Sequence, residues 1–258
     1  MPHSPTYRRI LHRMGYYDYQ QGLIYRHINQ DKGWGSHLSH CRTFILKAVE
    51  TVKPERVTVL GSGWLMELPI SELSERTREI ILIDIVHPPD VIEQTRKLKN
   101  VKLVEDDVSG GLIQDTWDSA SGCHIFRVHI SPDDLDIQEY SLPSDPGLLI
   151  SLNILTQIET LPERFLRKKT SLSEDDYSAI NEKIQEKHVS MLKKHRSVLI
   201  SDVVEILRDS NGSQTEKNTL RTLLPEGTMS DEWIWDFDLS GYDYNRKRSV
   251  IKVRAILF

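Results

Sequence analysis

Short apolar runs alternate with longer amphipathic stretches along most of this chain, and the change of period marks out its elements. Residues 56–60 (RVTVL), 79–85 (EIILIDI) and 101–105 (VKLVE) are brief and rich in β-branched side chains, as strands are. Between them, helical spacing predicts one helix beginning over 65–73 and another over 89–98. Residues 146–152 (PGLLISL) and 198–207 (VLISDVVEIL) read as a fourth and a fifth strand. A long amphipathic helix is expected over 172–194, with Ser173 near its start. Strands that alternate with helices predict βαβ units and a parallel sheet.

Both ends of the chain depart from this alternation. Residues 5–52 look helical and are rich in Tyr and His. The last helix there is expected from an N-cap at Ser36, with Leu38, Cys41, Phe44, Ile45, Ala48, Val49 and Val52 at helical spacing and Pro54 as its stop. Residues 232–238 (EWIWDFD) and 249–258 (SVIKVRAILF) flank the turn-rich SGYDYNRK and predict an antiparallel hairpin. Segments 109–145 and 208–231 read as loop-rich insertions beside the site. The expected fold is α/β: a Rossmann-like three-layer sandwich with a mostly parallel seven-stranded sheet, a C-terminal antiparallel hairpin and an N-terminal helical cap. The cap would span 1–53 and the main domain 54–258.

A length of 258 residues and 38% hydrophobic content suffice for such a core. The net charge of -5 gives no reason to expect nucleic acid or an anionic membrane as partner. Cys41 and Cys123 form neither a metal-ligand pattern nor a disulfide framework, and no metal site is expected. No apolar run is long enough to cross a bilayer, and the first 20 residues lack a signal peptide's apolar core. A cytoplasmic protein is the expectation.

Chemistry concentrates where the first two strands end. VTVLGSGW places Gly61-Ser62-Gly63 after an apolar strand, and ILID ends the second strand on Asp84. Glycines let the backbone turn sharply and approach a ligand, and a following helix would aim free N–H groups at it. A carboxylate at the next strand end can accept both hydroxyls of a ribose. Asp106 and Asp107 end the third strand, where either can accept from an adenine amino group. For each acid the competing reading is a capping or turn residue.

This layout resembles the class I S-adenosylmethionine-dependent methyltransferases over roughly residues 36–258. VTVLGSGW, ILIDI, VEDDVSG and LLISLNILTQIETLP match that family's elements in order. The resemblance implies S-adenosylmethionine as cofactor, held by Gly61, Ser62, Gly63, Glu67, Asp84, Ile85, Asp107 and Val108. It implies Asn153 beside the reacting centre and a small-molecule acceptor. Two positions depart from the family pattern: Val59 stands where an acid precedes the first glycine, and Leu65 replaces its third glycine. An inactive binding or scaffold protein of the same fold is therefore an alternative. A nicotinamide-dinucleotide oxidoreductase is another, but its Gly-x-Gly-x-x-Gly fingerprint would need glycine where Met66 stands.

Other candidates stay open. Gln157, His37, His40, His124 and His129 are possible bases, although surface or packing roles are favoured for the histidines. Tyr7, Tyr16, Tyr17, Tyr19 and Tyr25, with Trp34, either lid a pocket or pack a helix. Trp233 and Trp235 share one strand face, as core residues would.

Overall fold

The computed structural model describes residues 3–29, 33–121, 127–142, 145–241, 244 and 246–258. Cys123, His124, Pro143, Ser144, Tyr242, Asp243 and Asn245, which figured in the expectations above, lie outside the described residues.

Eight strands form one sheet: β1 (Arg56–Leu60), β2 (Glu79–Asp84), β3 (Val101–Glu105), β4 (Leu148–Leu152), β5 (Ser197–Arg208), β6 (Gln214–Asn218), β7 (Met229–Asp238) and β8 (Arg248–Leu257). Their order is β3-β2-β1-β4-β5-β8-β7, with β6 paired to the far end of β5. The first five strands are parallel, and β8 runs antiparallel to both β5 and β7. Strand alternation sorts the core into two faces. Val57, Val59, Ile80, Leu82, Leu148 and Ile150 face helices α3 (Gly35–Val52), α4 (Ile70–Arg76) and α5 (Pro89–Thr95). Leu60, Ile81, Ile83, Leu149 and Leu199 face α8 (Glu174–Leu192) on the opposite side. Helices α6 (Leu112–Ala120) and α7 (Thr160–Lys169) extend that layer, and α1 (Pro5–Met14) packs Ile10, Leu11 and Met14 against Ile113. Helix α2 (Tyr16–Asn29) has no fully buried residue and crosses the carboxyl ends of the strands.

The three-layer α/β sandwich and the hairpin follow the expectation, and four local features differ. The helix expected to begin over 65–73 starts at Ile70, because Leu65 and Leu68 drop into the core in a turn first. Helix α3 begins at Gly35 and Trp34 takes its N-cap position without a side-chain cap, so Ser36 does not cap it. Burial of the Trp34 ring, whose Nε1 donates to the Phe237 carbonyl at 3.0 Å, sets the entry instead. The insertion 109–145 contains α6, whose Leu112, Ile113, Thr116 and Ala120 are buried at helical spacing. The insertion 208–231 contains β6, an eighth strand made entirely of exposed residues and held by its backbone ladder to β5. Ser173 does cap α8, through a reciprocal bond pair with Asp176. Among the described residues no helix is long and apolar enough to cross a membrane.

Glu159 precedes α7 and is buried; its Oε1 accepts from Gln185 Nε2 at 3.0 Å, while Oε2 has no partner. Burial pushes its carboxyl up to about 7, against 4.5 ordinarily. Between those pH values the folded state holds a proton that the unfolded chain has released, so stability falls as pH rises through that window. Glu159→Gln keeps the accepted bond and removes the buried charge. It is expected to stabilise the protein at pH 8 by up to about 3 kcal/mol and to change little at pH 4.5. Thermal melts at the two pH values check this; equal melting temperatures for variant and parent at pH 8 would refute it.

Candidate functional site

Strand β1 lies between β2 and β4, so the loops leaving β1 and β4 diverge and open a cleft at the carboxyl ends of the strands. Gly61, Gly63, Glu67, Asp84, Ile85, Asp107, Val108 and Asn153 all line this cleft, which encloses about 1160 Å³ including its open mouth. Of the residues expected in the site, Ser62 does not line it; its buried hydroxyl has no partner among the described residues.

The two glycines have different roles. Gly61 has φ +77, and a Cβ there would lie 1.8 Å from Ile154 Cγ2 and 2.9 Å from the Leu152 carbonyl oxygen. It lets the turn pack against the end of β4. Gly63 has φ +50 and a Cβ there would meet nothing within 4 Å, so its bare backbone faces open space. The helix that was expected to aim N–H groups at this turn begins only at Ile70. The Gly63 N–H instead donates to Asp84 Oδ2 at 2.7 Å, and the Ile85 N–H donates to Oδ1 at 2.8 Å. Asp84 thus ties the glycine turn to the end of β2 and does not cap α5, whose N-cap position is Pro88. Burial raises its pKa, and the Gly63 N–H pulls the other way.

The N-terminal helices reach the same carboxylates. Gln20 Nε2 lies 3.4 Å from Asp84 Oδ1, and Trp64 Nε1 donates to the Gln20 carbonyl at 2.9 Å. Tyr7 Oη donates to Asp107 Oδ2 at 2.9 Å, and burial raises the pKa of both groups. Asp106 pairs instead with Tyr140 Oη at 2.7 Å and is not among the cleft residues. Tyr19 Oη donates to Gln157 Oε1 at 3.4 Å. Tyr16, Tyr19, Gln20 and Leu23 supply the α2 side of the cleft. The sequence predicts a helix here and singles out Tyr16 and Tyr19, but not Gln20 or Leu23, because nothing local says what the helix covers. Tyr16 and Tyr19 line the cleft and Tyr7 packs against the Ile10, Leu11 and Met14 cluster, whereas Tyr17 and Tyr25 are exposed and take neither role considered for them.

His37 is fully buried at the cleft floor. Trp233 Nε1 donates to His37 Nδ1 at 3.0 Å, and the ring stacks on Trp235 at 3.8 Å between centroids. An indole N–H only donates, so Nδ1 accepts and the imidazole proton sits on Nε2. Nε2 lies 3.2 Å from the Asn153 amide and 3.8 Å from Glu67 Oε1. With Nε2 a donor, the Asn153 amide oxygen, which has no partner among the described residues, must turn to the ring in place of the amide nitrogen. Asn153 takes φ 52, a left-handed turn at the end of β4. His37 is thereby an orienting group with no free lone pair for a base. His40 points outward, 3.7 Å from Asp231 Oδ2, and His129 is exposed. Among the described residues no group of three or more His, Cys, Asp or Glu is placed to hold a metal ion.

No family model matches the chain, and no curated protein matches it. Solved structures do. The N-methyltransferase NodS of Bradyrhizobium japonicum WM9, in complex with S-adenosylhomocysteine, aligns over 88% of this chain and 90% of its own at 10% identity and a TM-score of 0.43. A 1,6-didemethyltoxoflavin-N1-methyltransferase of Burkholderia thailandensis aligns over 100% of this chain and 92% of its own, at 11% identity and a TM-score of 0.42. A dimethyladenosine transferase of Plasmodium falciparum covers 84% of this chain and 60% of its own, at 13% identity and a TM-score of 0.35.

Two outcomes are expected from this geometry. Gly61→Ala should cost roughly 3 kcal/mol or more, through strain plus a clash, and Gly63→Ala only about 1–2 kcal/mol, through strain alone. Urea denaturation compares them, and equal losses would contradict the division of roles. Nitrogen NMR of His37 should report a bare Nδ1 and a protonated Nε2, with the preference lost in Trp233→Phe; a protonated Nδ1 in the parent would overturn the tautomer.

Proposed function

We propose that this chain is an S-adenosylmethionine-dependent methyltransferase acting on a small molecule, with its transferase domain over residues 54–258 beneath a helical cap over 1–53. The observation that carries this reading is convergence. A backbone-bare turn after β1, a buried carboxylate ending β2 and a half-buried carboxylate after β3 meet in one cleft at the chain's switch point. Gly61 and Gly63 would hold the methionine end of the cofactor; Ser62, expected there, does not line the cleft, and Glu67 is assigned to the acceptor instead. Asp84 and Ile85 would hold its ribose, and Asp107 and Val108 its adenine. The residues present fit that group: carboxylates lie where hydroxyl and amino donors need acceptors, and the missing Cβ of Gly63 leaves room at the turn.

Bound there, the cofactor supplies a methyl group on a positively charged sulfur, open to direct displacement. The chain's own work is then alignment and exclusion of water. Asn153, oriented by His37, and the Glu67 carboxylate would fix the acceptor's reacting atom. The aromatic rings of Trp34, Trp235 and Phe237 close the far wall.

A second reading, a binding protein of this fold without the chemistry, is favoured by one observation: Asp84 already accepts from Gly63, Ile85 and Gln20. Calorimetric titration with S-adenosylmethionine and S-adenosylhomocysteine, with reduced nicotinamide dinucleotide as control, tests the assignment. Micromolar binding of the first two is expected, weakened roughly 10–100-fold by Asp84→Asn, as loss of a charge-assisted bond would do. Unchanged affinity in the variant removes Asp84 from the ribose site, and binding of the nicotinamide cofactor alone would replace the methyltransferase reading. Cofactor binding without methyl transfer to any small-molecule fraction would favour the binding protein.

A further inference from the structure

We infer that the acceptor is a flat aromatic amine, taken up as a neutral or cationic molecule and methylated on nitrogen. This rests on the methyltransferase reading and concerns the part of the cleft that the cofactor residues leave over. That part is walled by Tyr19, Trp34, Trp64, Trp235 and Phe237, with Leu23, Met66 and Leu161 between them. Planar rings on several sides favour a planar guest, through stacked and edge-to-face contacts. Charge selects further. The described lining residues include Glu67, Asp84 and Asp107 but no Lys or Arg, so a carboxylate or phosphate guest would find no counter-charge and three repelling groups. Arg42 donates to the Met66 carbonyl and Arg26 packs over the Phe237 ring at 4.8 Å, but neither guanidinium is a wall residue.

Besides Asn153, the polar lining residues Glu67 and Trp235 are open to the guest. Glu67 is mostly buried, and the His37 Nε2 that lies 3.8 Å from its carboxylate belongs to a neutral imidazole, so it has capacity for an ammonium or amine N–H. Trp235 Nε1 is a buried donor with no partner among the described residues, suited to a ring nitrogen or oxygen on the flat body. The transfer would need the neutral amine: a guest taken up as ammonium would first pass one proton to the Glu67 carboxylate, and its freed lone pair would form the new N–C bond as the donor's C–S pair goes to sulfur, leaving a methylated ammonium. A guest taken up neutral would shed its proton to Glu67 after the transfer.

The test titrates 1-naphthylmethylamine, 1-naphthalenemethanol and 1-naphthoate into the protein, with and without saturating S-adenosylhomocysteine. The amine is expected to bind roughly tenfold or more tightly than the carboxylate, and Glu67→Gln to cut that ratio to about threefold or less. Equal or tighter binding of naphthoate, an amine preference that survives Glu67→Gln, or no aromatic binding at all would overturn the inference. Failure of S-adenosylhomocysteine to bind would instead overturn the methyltransferase reading, while the probe series without it still reads the amine preference. The wild-type ratio decides the case even where the variant fails to fold.

Discussion

Strands β1, β2 and β4 are covered by helices on both faces, and that burial leaves almost no place for a polar group along them. The two buried polar side chains within β1 and β4 are each matched. Thr58 donates to the Pro146 carbonyl at 2.9 Å, and Ser151 meets His188 at 2.8 Å. Burial also pulls His188 down to about 4, so this pair is neutral in an apolar layer. Every group with chemical capacity is consequently displaced to the strand ends. Asp84 sits at the last position of its ladder, Asn153 one step beyond β4 and Asp107 two steps beyond β3, and the reversal of strand order at β1 brings them to a common opening.

The site then divides by origin. Its backbone and carboxylate side comes from the parallel part of the sheet, where Asp84 holds the Gly63 turn in place by a single short bond. Its aromatic side comes from the two ends of the chain, α2 with Trp34 and the β7 strand. Trp34 joins these ends, since its indole donates to the Phe237 carbonyl and packs edge-on against Trp235. His37 continues the join inward, from Trp233 to Asn153. Helix α2 is therefore not an appendage to the cleft: without it, the cleft would lose Tyr16, Tyr19, Gln20 and Leu23 and stand open over the carboxylates.

What was legible in the sequence was the part governed by period and local chemistry. Apolar runs long enough to be strands, a glycine turn and acids after them are set by residues close together in the chain. Asp84 and Gly63 were readable as a pair because both follow strands that are neighbours in the sheet. Elements without an apolar signature were not readable: β6 consists of Gln, Thr, Glu, Lys and Asn, all exposed, and exists through its ladder with β5. Helix α6 had helical spacing, but the glycines and prolines around it resembled a loop.

By itself, then, the sequence determined the sheet, its parallel sense and the strand-end residues, because burial on two faces imposes a pattern on each short run. Only the tertiary structure decided which residues share the cleft. The tautomer of His37, the outward turn of His40 and the aromatic wall from Tyr19 to Phe237 depend on contacts between residues 100 to 200 positions apart, which no local period encodes.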